Sequence, residues 1–297
     1  MYTEIIVEET REELIQYPYK NWHHIILHTV LNKTLYGYIP IHWHSALQYV
    51  YVINGELKVG IGEELIHVPK GHGLFINSQV VHEINESVSD TEYFCWNIDL
   101  ADMHKQIEME YLTQVLELAH KIPYIYLSPN LSEHQMLINI IKEAGDKFDK
   151  KEQHFKLDIS ICYYESLKHL INIMSQIETD AHYYFDQRIK TLIKYIQDHY
   201  QSKITLNDLS DNIHMSKSET VRLFSKYVHQ TPFQYILNYR LEKSVSMLNK
   251  HTDKSITDIS YACGFSTTSY FIQKFKERYG QTPKKFLKQI KKVNAFY

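Results

Sequence analysis

Between residues 20 and 100 the apolar side chains come in short runs rather than at helical spacing. HHIILHTVL, LQYVYVI, ELKVGIG, ELIHV and GLFIN are rich in β-branched and aromatic residues, which suit the pleated surface of a strand. Asn54-Gly55, set between Tyr49–Ile53 and Glu56–Ile61, predicts a hairpin turn, because both residues tolerate positive φ. VPKGHG (Val68–Gly73) and NSQVVH (Asn77–His82) punctuate further strands. Many short strands at regular spacing predict a sandwich or barrel.

After about Asp99 the period lengthens to that of a helix. Met103–His120 reads as one helix, broken by Pro123. Ser132 reads as the cap of the next, with Gln135 at the capping-box position. Glu152–Ile177 reads as a long helix with an apolar stripe of Ile159, Tyr163, Leu167, Leu170, Met174 and Ile177. Such a stripe serves equally well to pack against the barrel or to form a dimer seam. ETDAHYYFDQ (Glu178–Gln187) has no period and reads as a linker. Beyond it Arg188–Tyr200, Leu206–Ile213, Ser216–Tyr227, Pro232–Leu248, Ile256–Cys263, Thr267–Tyr279 and Pro283–Ile290 all read as helices with short breaks. The expected fold class is therefore α+β and multidomain. A β-barrel or jelly roll spans 1–100, a helical dimerisation segment 101–178, a linker 179–187 and an all-α domain 188–297.

Charge sharpens this division. The chain carries a net charge of −3, yet residues 181–297 hold 19 Lys and Arg against 9 Asp and Glu, whereas residues 1–180 hold 13 against 26. A basic C-terminal part joined to an acidic N-terminal one predicts that only the former meets a polyanion. The three cysteines, Cys95, Cys162 and Cys263, are far apart and odd in number, so they predict neither a disulfide framework nor a CxxC metal site, but reduced, buried thiols. MYTEIIVEETREELIQ is acidic and amphipathic, unlike a signal peptide, and nowhere do eighteen apolar residues run together. The expected location is the cytoplasm, with no membrane contact.

The helical part contains a repeat. LNDLSDNIHMSKSETVRLFSKYVHQTP lies over ITDISYACGFSTTSYFIQKFKERYGQTP, fifty residues apart at Asp208 and Asp258, and fifty-one at Phe224 and Phe275 after one inserted residue. Each copy reads as a short helix, a tight turn and a second helix, followed by a Thr-Pro helix start, which is the layout of a helix-turn-helix. Gly264 supplies a positive φ cheaply at the second turn; His214, at the first, does not, so that turn is expected to be different or strained. Ser216 and Glu219 are spaced as a capping box. The expected buried faces use Thr220, Phe224, Leu209 and Ile213 in one copy, and Phe271, Phe275, Ile259 and Cys263 in the other. The opposite faces are polar or basic, with Lys217, Ser218, Arg222, Ser225 and Lys226, and with Thr268, Ser269, Gln273, Lys274 and Lys276. Such second helices enter the major groove, where Arg suits guanine, Gln suits adenine, and Ser or Thr suits either kind of partner.

ITDISYACGFSTTSYFIQKFKERYGQTPKKF resembles the C-terminal motif of the AraC/XylS family of bacterial transcription regulators. The resemblance covers about residues 186–297, and the pattern A-x-x-x-G-F-x-x-x-S-Y-F-x-x-x-F-K-x-x-x-G-x-T-P is complete except that Ser260 replaces its first Ala. It implies two helix-turn-helix units joined by one long helix, Pro232–Leu248, entering successive major grooves on one face of double-stranded DNA. Carried over by position, base contacts fall on Ser218, Val221 and Arg222 and on Thr268, Ser269 and Gln273. Phosphate contacts fall on Lys226, Arg240, Lys276 and Lys284 and on the amides of Thr231 and Thr282.

In the N-terminal part, GYIPIHWHSALQYVYVINGE and VPKGHGLFINSQVVHEI resemble the two cupin motifs of sensory domains in that family. His42, His44 and Gln48 have the even spacing of one strand face, and His82 stands where the second motif supplies its histidine. With His42, His44, Gln48 and His82 as ligands, Zn, Fe or Mn is an alternative occupant, but Gln48 replaces the usual Glu and binds divalent ions less firmly. The favoured expectation is a pocket of hydrogen-bonding histidines with no metal or cofactor. Val50 continues that face, Tyr49 and Tyr51 point the other way, and Trp96 is expected to line the pocket, where a ring beside His and Gln suits a carbohydrate. The expected protein is a non-enzymatic, dimeric, effector-controlled DNA-binding regulator, in contact with RNA polymerase if it is an activator. The alternative is a metal-dependent cupin enzyme or metal sensor with an appended DNA-binding domain.

Overall fold

The computed structural model describes residues 15, 17–19, 22–100, 106–119, 121–177, 187–250 and 254–294. Two compact units divide the chain, residues 1–185 and 186–297. The expected linker, 179–187, lies outside the described residues except for Gln187, which already belongs to a helix.

Among the described residues of the first unit eight strands precede the first α-helix: β1 (His24–Val30), β2 (Ile39–His42), β3 (Leu47–Asn54), β4 (Glu56–Ile61), β5 (Glu64–Pro69), β6 (Gly73–Ile76), β7 (His82–Glu86) and β8 (Glu92–Ile98). Then come α1 (Gln106–Glu117), β9 (Tyr124–Leu127), α2 (Ser132–Lys150) and α3 (Phe155–Gln176). A five-stranded antiparallel sheet runs β1-β8-β3-β6-β9 and a four-stranded one β2-β7-β4-β5. Between them lies an aliphatic core, with Val50, Val52, Leu74 and Ile76 from the larger sheet and Leu57, Val59, Ile61 and Ile84 from the smaller. The arrangement is cupin-like, and period-two burial explains it: alternate residues of β3 face this core, while Leu47 and Tyr49 face the helices.

Asn54-Gly55 does not close a hairpin, because β3 and β4 belong to different sheets and the turn carries the chain across the sandwich. Gly55 has φ 82°, and a Cβ there would overlap the Thr91 side chain, so glycine is needed for the close approach as well as the turn. Ser132 is not a cap either: the N-cap is Leu131, without a side-chain bond. β9 was not expected; it completes the larger sheet by pairing with β6, Phe75 opposite Ile125.

The outer face of the larger sheet is covered by α2 and α3. Gly145 of α2 rests on Phe94, whose ring a Cβ would strike. On α3 the expected stripe is buried at Ile159, Tyr163, Leu167, Leu170 and Met174, within the same core as Tyr49, Phe75 and Trp96, whereas Ile177 is 36% exposed. The stripe thus packs inside its own unit. Another face of α3 leaves Leu157, Ile161 and Tyr164 exposed.

Among the described residues the elements of the second unit are all helices: α4 (Gln187–His199), α5 (Leu206–Asn212), α6 (Lys217–Val228), α7 (Pro232–Lys250), α8 (Ile256–Ala262), α9 (Thr268–Tyr279) and α10 (Pro283–Asn294). Both helix-turn-helix copies close the same backbone bond, Met215 N–H to Ser210 O at 3.0 Å and Phe265 N–H to Ser260 O at 3.1 Å. The expected capping box of Ser216 and Glu219 is formed, and Thr267 caps α9 through the Tyr270 amide. The two caps lie fifty-one residues apart, which places the inserted residue at Ser266, beside the cap and not within either helix. The three cysteines are free and buried. Among the described residues no helix is long and apolar enough to cross a membrane.

Candidate nucleic-acid interface and barrel site

The second helix of each copy turns its apolar side inward and leaves a polar stripe outside. On α6 Thr220 and Phe224 are buried, Ser218 and Arg222 are exposed, and Val221 is half-buried. On α9 Phe271 and Phe275 are fully buried, Ser269 and Gln273 are exposed, and Thr268 is half-buried. Residues proposed for base contact therefore share an outward face, near the helix N-terminus, in both copies. Lys226, Lys276 and Lys284 are exposed. Thr231 and Thr282 precede α7 and α10, and their hydroxyls accept from the amides of Gln234 and Lys285, at 3.2 and 3.4 Å.

Arg240 Nε donates to the Tyr200 carbonyl at 2.8 Å and its Nη2 to the Ser202 carbonyl at 2.7 Å. The guanidinium ties α7 to the turn between α4 and α5, which gives Arg240 a structural role that its sequence position does not announce. Glu277, which sequence reasoning passed over, accepts from Gln273 Nε2 at 2.9 Å and from Lys274 Nζ at 2.8 Å.

In the first unit His42 ends β2, His44 follows it in the connection to β3, Gln48 lies on β3 and His82 begins β7. The even spacing of His42, His44 and Gln48 thus converges across two sheets, not along one strand. His42 stands opposite His82 across the β2–β7 pair, their rings 4.2 Å apart; His44 is 5.2 Å from His82 and 5.7 Å from His42. All four polar residues are buried.

Each imidazole has its Nδ1 within hydrogen-bond reach of a main-chain carbonyl: His42 to Pro40 at 2.7 Å, His44 to Ala46 at 3.0 Å, His82 to Val80 at 2.9 Å. A carbonyl only accepts, so the three Nδ1 atoms donate to the main chain and leave Nε2 as the ring nitrogen not used in these bonds. The Nε2 of His82 is buried without a hydrogen-bond partner. Burial, and then the nearby His42 and His44, hold the pKa of His82 well below the ordinary histidine value. One ligand atom from each of the three histidines lies within 4.8 Å of the others. Three buried imidazoles held through Nδ1 and clustered this closely fit a divalent transition metal.

Gln48 closes one side. One end of its amide lies 3.1 Å from His44 Nε2 and the other 2.9 Å from the Cys95 sulfur. Its carbonyl oxygen faces His44, and its NH2 donates to the Cys95 sulfur, whose thiol in turn donates to Asn97 Oδ1 at 3.8 Å. Cys95 and Asn97, which pairs with Gln48, were missed from sequence, although the parity of β8 places them together.

That same parity removes Trp96 from the site. Trp96 is fully buried on the other face of the sheet, 5.6 Å from Tyr49 and 5.9 Å from His24, in the core under the helices. Tyr49 and Tyr51 also face that side, as expected.

A helix-turn-helix domain model matches residues 209–289, and a cupin domain model matches residues 36–97. Over 269 residues the chain is 32% identical to YdeC, an uncharacterized HTH-type transcriptional regulator of Bacillus subtilis (strain 168), spanning 90% of this chain and 91% of the relative. A transcriptional regulator with an AraC-type DNA-binding domain, from Chromobacterium violaceum, is similar in structure at 25% identity and a TM-score of 0.33, over 35% of this chain and 91% of that one. ToxT from Vibrio cholerae strain SCE256, solved with a bound unsaturated fatty acid, aligns at 12% identity and a TM-score of 0.42 over 91% of this chain and 97% of its own.

Proposed function

Since this chain belongs to the AraC/XylS family of helix-turn-helix transcription regulators, we propose that it reads an operator through α6 and α9 and adjusts that reading to a small effector held in its barrel. The observation that carries the proposal is the duplicated helix-turn-helix, with two outward polar helices on one basic unit. Ser218, Val221 and Arg222 on one helix and Thr268, Ser269 and Gln273 on the other are assigned to base edges. Lys226, Lys276, Lys284 and the amides of Thr231 and Thr282 are assigned to phosphates. Footprinting on a selected operator tests this. Two protected blocks in successive major grooves are expected, one weakened by Arg222→Ala and the other by Gln273→Ala. Equal loss on specific and random DNA would sink the assignment.

The effector reading shifts with Trp96. A ring beside the histidines would favour a carbohydrate, but Trp96 lies on the far side of the sheet. The orphaned Nε2 of His82 favours a second reading, a metal-responsive regulator holding a divalent ion at His42, His44 and His82, with Gln48 alongside. Calorimetric titration of the full chain with zinc, cobalt and manganese, and then with sugars, separates the two. Binding of one metal per chain that His82→Gln abolishes supports the ion; a sugar that binds in its place restores the first reading.

Further assignments complete the proposal. The exposed face of Leu157, Ile161 and Tyr164 is assigned to a homodimer, which sedimentation of a Leu157→Glu, Ile161→Glu variant tests. The protein is taken to act in the cytoplasm without catalysing a reaction, and as an activator it would touch RNA polymerase.

A further inference from the structure

Ser269, Gln273 and Glu277 follow one another at four-residue spacing along α9, on the side away from the buried Phe271 and Phe275. The stripe assigned to the major groove therefore carries a carboxylate, which a phosphate-lined surface repels. Both oxygens of that carboxylate are engaged. Oε1 accepts from Gln273 Nε2 at 2.9 Å, and Oε2 accepts from Lys274 Nζ at 2.8 Å. A carboxylate has no proton to give, so the first bond fixes the sense of the Gln273 amide: its nitrogen turns along the helix to Glu277 and its oxygen is left for another partner. Fifty-one residues earlier, Arg222 and Lys226 occupy the corresponding places, and there the pair is wholly cationic.

We propose that Glu277 is a positioning residue for DNA readout: it sets Gln273 to present its carbonyl oxygen to the base edges, which selects an exocyclic amine, adenine N6 or cytosine N4, over the acceptor edges of guanine and thymine. Lys274 neutralises the carboxylate locally, so the acid orients its neighbour at little cost in attraction to the duplex. The proposal rests on Gln273 meeting bases.

The test is binding-site selection from a randomised operator with the full chain, comparing wild type, Glu277→Gln, Glu277→Ala and Gln273→Ala. All three substitutions are at exposed helix positions and leave the core intact. The wild type should enrich adenine or cytosine at one position. Both Glu277 variants should lower that preference by about two- to threefold, because the amide is no longer held in one sense. Gln273→Ala should remove it. Loss of an acid raises affinity for any DNA, so only the ratio between bases counts. If the Glu277 variants keep the wild-type preference while Gln273→Ala removes it, Glu277 is only a surface partner and the proposal falls. If the Glu277 variants change a position that Gln273→Ala leaves alone, Glu277 reads a base directly, and the proposal falls again. If Gln273→Ala changes nothing, the base contact itself is wrong and the positioning role goes with it.

Discussion

His214 and Gly264 hold the same place in the two helix-turn-helix turns and share the left-handed backbone, with φ of 53° and 79°. The first side chain bears a strain that the second avoids. An L-residue in that region costs about 1–2 kcal/mol, while glycine costs about 0.5–1 kcal/mol in chain entropy. His214→Gly should therefore stabilise the C-terminal unit by about 0.5–1 kcal/mol in urea unfolding. Gly264→Ala should do the reverse by about 2–4 kcal/mol, since its Cβ would meet the Tyr200 and Gln201 carbonyl oxygens as well as the strained φ. Equal effects at both turns would contradict this asymmetry.

Arg240 and Lys276 should separate in a salt titration. Arg240 gives two charge-assisted bonds to main-chain carbonyls, so Arg240→Ala should lower stability by about 1.5–3 kcal/mol and leave the slope of log K against log salt near its wild-type value. Lys276→Ala should leave stability nearly unchanged and reduce the slope by about 1. A smaller slope for folded Arg240→Ala protein would return that residue to the phosphate contacts.

Stability should respond to pH from both sides. Burial, and then His23, hold the pKa of His24 at about 4, and His82 is also depressed. Well above pH 6.5 both are neutral whether folded or not; as pH falls toward 4 the unfolded chain takes up protons first, and His24 alone accounts for a loss of about 3 kcal/mol. His28 behaves oppositely. Partial burial lowers its pKa, but bonds to Glu92 and Asp149, each 2.6 Å long, raise it overall. Its contribution is complete below the unfolded pKa and is lost as pH rises through the folded one. Melting curves should show that His24→Gln lessens the acid loss and His28→Gln the loss on the alkaline side. A wild-type melting point constant from pH 7 to 4 would refute the first half.

A divalent ion at the histidine cluster should raise the melting point of the full chain. At a hundred times its Kd the gain is about 2.7 kcal/mol, or about 5–10 °C for a unit of this size. His82→Gln should abolish the shift. A shift of the same size in that variant would mean the ion sits elsewhere.

The helical half was legible because its signals are local. Ser216 with Glu219, and Thr267 before the run to Phe275, mark helix ends that no distant contact can move. The strand half was legible only in part. Tyr124–Leu127 is too short to announce itself, and it is a strand because β6 offers it an open edge. Trp96 was misplaced for the same kind of reason. Which face it takes depends on pairing with Tyr49, a relation between residues far apart in the chain that no periodicity encodes. His42, His44, Gln48 and His82 were found through motif spacing, yet their partners Cys95 and Asn97 come from β8, and only the sheet register brings those to the cluster.

Gly264 has one more consequence. With no side chain, the second turn rests directly on the main chain at Tyr200 and Gln201, just before the helices of the first copy. If α6 and α9 read two blocks of an operator as proposed, this contact limits how far the second copy can slide against the first, and the C-terminal unit would act as a caliper. An operator lengthened by one base pair between its two blocks cannot be met by sliding one helix past the other; the duplex must twist to fit, or one block goes unread.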